Sequence, residues 1–68
     1  MIMSKLRNKF DDHLPSLYAT VDGEMDLRDN HKLYQKVYRF YKKEGITFTG
    51  DSLMDYNMIV NYLTEDLN

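Results

Sequence analysis

The sequence predicts a mainly α fold, a small domain of three helices, and three observations carry that prediction. Residues 30–45, NHKLYQKVYRFYKKEG, hold a start signal, an apolar face and a stop signal in agreement. Residues 51–66 repeat the pattern with a second capped, apolar-periodic segment. Finally, 68 residues without cysteine allow only one small core and no disulfide to brace it. The reading is therefore a single domain spanning residues 1–68, with short extended linkers. The alternative is a small α+β fold with a hairpin around Asp22-Gly23, because Asp-Gly between alternating apolar residues is a strong hairpin signal.

The first helix is expected over residues 2–13, where Met3, Leu6 and Phe10 share a face and Ile2 and His13 lie at its edge. Ser4 is an alternative cap. Pro15 is expected to end the helix, since the residue before a proline is pushed out of the helical region. Residues 16–28 support three readings, a loop with a helical turn from Ser16 to Thr20, a hairpin, or a plain loop.

The central helix is the clearest element. At roughly 100° per residue, Leu33, Val37 and Phe40 fall together, and Tyr34, Tyr38 and Tyr41 widen the arc to about 160°. Asp29 or Asn30 can cap its start, and Gly45 can take the left-handed conformation that ends it. Lys42 and Lys43 occupy the last turn, where the helix dipole favours cations. Residues 44–50, EGITFTG, then read as a short extended linker.

The last helix is expected from Asp51 or Ser52, with Ser52-x-x-Asp55 resembling a capping box. Its core face is read as Leu53, Tyr56, Ile59, Val60 and Leu63, joined in the core by Leu6, Phe10, Leu14, Leu33, Val37 and Phe40.

Charge is arranged in blocks behind a net charge of −2. Residues 1–10 carry +3, residues 11–30 carry −5, residues 31–43 carry +5 and residues 44–68 carry −5. Such blocks either pair between neighbouring helices or form a bipolar surface that steers a partner. No apolar run reaches membrane-spanning length, and MIMSKLRNKF lacks the apolar stretch of a secretory signal, so a cytoplasmic location is expected. A single Ala beside abundant Tyr, Asn, Asp, Lys and Met suits an AT-rich genome, a composition common in small phage or mobile-element proteins.

No catalytic set emerges, and the chain is read as a non-enzyme without cofactor or metal. The acidic loop DGEMDLRDN begins like a calcium loop, but Leu27 and Leu33 stand where Gly and a bidentate Glu are needed. Asp51 and Asp55 share a helix face, yet acids in a first turn are favoured by the dipole alone. His13 and His31 are isolated from any nucleophile pattern. Three scattered glycines make no phosphate loop.

Two binding surfaces remain. Met54, Met58 and Tyr62 are spaced i, i+4, i+8 off the core face of the last helix, and methionine suits adaptable interfaces. They are the expected contact of a protein-binding factor, such as a phage-type regulator or inhibitor docking on a larger host protein, or of a homodimer. The alternative is the ridge Lys32, Lys36, Arg39, Lys42 and Lys43, bordered by Tyr34 and Tyr38. It fits nucleic acid or an acidic partner, although the absence of Lys and Arg from residues 51–66 argues against a helix-turn-helix reader. A structural subunit of an assembly is a further alternative.

Overall fold

The computed structural model describes residues 5–68, and every regular element in it is helical. The order is α1 (Lys5–Lys9), a 3₁₀ turn (Asp11–His13), α2 (Leu14–Val21), a second 3₁₀ turn (Leu27–Asp29), α3 (His31–Lys43) and α4 (Ser52–Leu67). No strand occurs among the described residues, so the hairpin alternative is excluded. The readings placed on Ile2, Met3 and Ser4 lie outside the described residues.

The expected first helix is broken rather than continuous. Phe10 (φ −110°, ψ 33°) and His13 (φ −117°, ψ 9°) leave helical geometry on either side of the 3₁₀ turn. Pro15 explains the break, because its ring would collide with the carbonyl four residues back, at Asp11, in a continuous helix. It acts as a starter as well, standing in the first turn of α2, where no intrahelical donor is needed. Leu14, just before it, is itself helical (φ −57°, ψ −41°), contrary to the expected exclusion from that region.

The Asp22-Gly23 pair closes α2 rather than turning a hairpin. Gly23 adopts φ +78°, its N–H donates to the Thr20 carbonyl at 3.2 Å, and Glu24 N–H donates to the Ala19 carbonyl at 2.9 Å. That is a Schellman closure, and it needs the same left-handed glycine that a hairpin turn needs. The end of α3 repeats it: Gly45 has φ +101°, with Gly45 N–H to Lys42 and Ile46 N–H to Tyr41. Ile46 and Phe48 follow in a loop, not a strand.

Helix α4 is the hub, since α1, α2 and α3 all pack against it. Its buried line is Asp55, Ile59, Leu63 and Leu67, at i, i+4 spacing. Leu6 from α1, Phe10 just after it, Leu17 from α2, Leu27 from the second 3₁₀ turn, and Leu33, Val37 and Tyr41 from α3 complete the buried apolar core. The expected core changes at several places. Leu53 is 59% exposed, and Leu14, Phe40, Tyr56 and Val60 are only partly buried. Leu17, Leu27, Tyr41 and Leu67 take their places.

Polar contacts pin the ends of α4. Asp51 caps it by accepting from Met54 N–H at 3.0 Å, which leaves Ser52 as the first helical residue instead of the cap. Asp55, buried in the same turn, reaches backwards. One oxygen accepts from Thr49 N–H and Thr49 Oγ1, both at 2.8 Å, and the other from Gly50 N–H at 3.1 Å. Burial pushes this carboxyl up, but the three donors outweigh it and hold it below the usual carboxylate value. At the far end, the Tyr41 hydroxyl donates to Asp66 at 2.6 Å and the Tyr18 hydroxyl to the Leu67 carbonyl at 3.3 Å.

Candidate partner-binding surface

Helix α3 buries one side and exposes the other. Leu33, Val37 and Tyr41 face the core, while Lys32, Lys36, Arg39, Lys42 and Lys43 are all exposed. No Asp or Glu occurs within His31–Lys43. Among the described residues, none of these five cations lies within ion-pair distance of a carboxylate. The acid closest in sequence, Glu44, lies 3.5 Å from Lys5 of α1 instead. The alternation of charge along the chain is therefore not cancelled by ion pairs at this face.

Asn30 sets the start of this helix by accepting from Leu33 N–H at 3.3 Å. The burial of Leu33, Val37 and Tyr41 sets the rotation of α3 and hence the direction of the ridge. The preceding 3₁₀ turn is anchored to α4, because Leu27 N–H donates to the Tyr56 hydroxyl at 3.1 Å. Arg28 lies over the Tyr56 ring at 4.3 Å from its centroid and is forked by Asp26, with Nη2 to Oδ2 at 2.6 Å and Nε to Oδ1 at 2.9 Å. The Arg28 side-chain hydrogen bonds hold the Asp26 carboxyl down at about 2. Arg28 thus stands as a fixed cation beside α3.

Two shallow grooves flank the ridge and share Arg39. The first, about 560 Å³, runs between α3 and Arg28 past Tyr34 and Tyr38. The second, about 600 Å³, runs between α3 and the α1 end, where Lys9, Lys36 and Lys43 are mixed with Asp12 and Glu44. The two histidines divide between them, His31 in the first and His13 in the second.

The tyrosines expected to border the ridge are half-buried and already engaged. Tyr38 stacks on Phe48 with centroids 4.3 Å apart and planes 20° apart. Tyr34 packs against Tyr38 at 6.4 Å and Tyr56 at 5.8 Å. Burial pushes the Tyr34 phenol pKa above its ordinary value.

The other expected surface is divided by the fold. Met54 is 54% exposed and stands beside Leu53 on the outer side of α4. Met58 is half-buried, and Tyr62 packs against the core with its ring 5.4 Å from Tyr41. The outer apolar patch therefore centres on Leu53 and Met54. Sequence reasoning passed over Arg28, whose position depends on a long-range contact with Tyr56 that no local pattern announces.

Among the described residues no cluster of three or more His, Asp or Glu is placed to hold a metal ion. Asp51 and Asp55 both spend oxygens on backbone N–H groups at the start of α4. No helix among these residues is long and apolar enough to cross a membrane. Comparison with protein-family models, with curated proteins and with solved structures gives no match for this chain.

Proposed function

We propose that this chain is a non-catalytic binding protein that docks on an acidic surface of a larger protein through the outer face of α3. One observation carries the reading: five exposed cations lie on one 13-residue helix that contains no carboxylate. A rigid face about 20 Å long, set by the helical rise, presents that charge as a single strip. Such a strip speeds encounter with an acidic partner and fixes its orientation.

Two observations favour protein over nucleic acid as the partner. The rings of Tyr34 and Tyr38 pack on Tyr56 and Phe48, so the fold already uses the stacking surface that a base would need. The whole chain carries a net charge of −2, whereas nucleic-acid-binding domains are basic overall. The composition typical of small mobile-element proteins agrees with a regulator or inhibitor that acts by occupying a site on its partner. A second reading, contact through Leu53 and Met54 with Met58 at its edge, is supported by the exposure of that apolar pair.

The test uses immobilised protein and a nuclease-treated extract of cells that naturally carry it, at low and high salt. Wild-type protein is expected to retain one protein at low salt and release it at high salt, as exposed charge pairs require. The Lys36→Glu/Arg39→Glu variant is expected to lose it. Retention by the variant, or capture that nuclease abolishes, would refute the proposal.

A further inference from the structure

The first groove is chemically distinct from the rest of the basic face. Arg28, Arg39 and Lys42 line it, none of its lining residues is acidic, and Tyr34 and Tyr38 supply an aromatic wall. It is an open, shallow groove of about 560 Å³, a shape that suits an extended chain rather than an enclosed small molecule. The second groove, of similar size, is partly neutralised by Asp12 and Glu44. Within the first, Arg28 is already paired with Asp26, leaving Arg39 and Lys42 as the cations without a carboxylate among the described residues.

Resting on the docking role of α3, we propose that this groove seats an extended acidic segment of the partner protein. Carboxylates of the segment pair with Arg39 and Lys42, and an apolar side chain between them lies against Tyr34 and Tyr38. The guanidinium of Arg39 can take a carboxylate through two parallel N–H donors, whereas Lys42 acts as a point charge. Arg28 needs no rearrangement to flank the segment, because Asp26 and the Tyr56 ring already fix it. The apolar anchor needs only van der Waals contact with the parts of Tyr34 and Tyr38 that line the groove, whereas a base would need to stack on their rings, which already pack on Tyr56 and Phe48.

The experiment is a titration of the isotopically labelled full chain, followed by NMR, with a synthetic peptide of Asp and Glu around one Phe. A matched peptide of Asn and Gln around Phe and an oligothymidylate serve as the other arms. The proposal expects saturable shifts at Tyr34, Tyr38 and Lys42 with the acidic peptide and none with the amide peptide. Arg39→Gln/Lys42→Gln, both at exposed positions, should weaken binding about tenfold, the effect of losing two exposed charge pairs. Shifts of equal size at Lys9 and Lys43, or equal binding of the amide peptide, would overturn it. Saturable binding of oligothymidylate in this groove, tighter than the acidic peptide, would overturn it in favour of nucleic acid. If the acidic peptide fails to bind while Lys36→Glu/Arg39→Glu still loses the captured protein, the groove assignment falls and the docking role of α3 stands.

Discussion

Truncating Leu63 and truncating Leu53 should have very unequal consequences, although a helical wheel puts both on the core face of α4. Leu63 is fully buried and belongs to the central cluster, whereas Leu53 is 59% exposed. Leu63→Ala removes buried methyl groups and leaves a cavity, at a cost of about 2–5 kcal/mol. A domain of this length has a total stability of roughly 3–10 kcal/mol. A loss near 3 kcal/mol lowers the melting temperature by roughly 12–24 °C in so small a domain. Leu53→Ala removes surface already in water and should stay within about 0.5 kcal/mol. Urea melts followed by circular dichroism at the helical band measure both. Should Leu63→Ala be too unstable to give a folded baseline, Ile59→Val at another fully buried position serves, with an expected cost of about 0.5–1.5 kcal/mol. Equal losses at Leu53 and Leu63, or a larger loss at Leu53, would refute the rotation of α4 described above.

Three further outcomes follow from the polar contacts and the helix ends. Asp55 and Asp26 both have lowered pKa values, so the unfolded chain binds more protons; stability from them is complete above about pH 5 and is lost as pH falls. For Asp26 the loss extends down through about 2. Asp55→Asn should lower the melting temperature at neutral pH and flatten this acid limb, and a limb unchanged in that variant would contradict the role given to Asp55. Tyr41→Phe keeps the buried ring but loses the donor to Asp66, and thermal melts should show a loss of about 1 kcal/mol; no change would mean the bond contributes nothing. Gly45→Ala meets no neighbour within 4 Å yet must hold φ +101°, so a loss of about 1 kcal/mol from strain alone is expected. An equal or higher stability would show that α3 ends differently.

The helices were legible where local chemistry had one meaning. Asn30 and Gly45 bound α3 as read from the sequence, because a cap oxygen and a left-handed glycine have few other uses there. Asp22-Gly23 was ambiguous for a physical reason: positive φ closes a helix as readily as it turns a hairpin, and only the Pro15-started turn before it decides. The face of α4 was misjudged by roughly 40° of rotation. Apolar residues occur almost all round that helix, and its buried line includes a carboxylate, Asp55, which a hydrophobic pattern reads as solvent-facing. Tyr41 and Leu67 are both buried, and the bonds beside them, from the Tyr41 hydroxyl to Asp66 and from the Tyr18 hydroxyl to the Leu67 carbonyl, exist only after folding.

The basic ridge was readable directly, since five cations at helical spacing with no intervening acid need no tertiary information. Its flanking groove was not, because Arg28 reaches it through Tyr56 and Tyr38 is backed by the Phe48 loop.

The most direct measurement compares capture of the partner by two variants in parallel, Lys36→Glu/Arg39→Glu on α3 and Leu53→Gln/Met54→Gln on α4. All four positions are exposed, so both variants should melt close to wild type. The account predicts that the charge-reversed α3 variant loses the partner and the α4 variant keeps it. Retention by the first and loss by the second would place docking on the apolar patch and contradict the account.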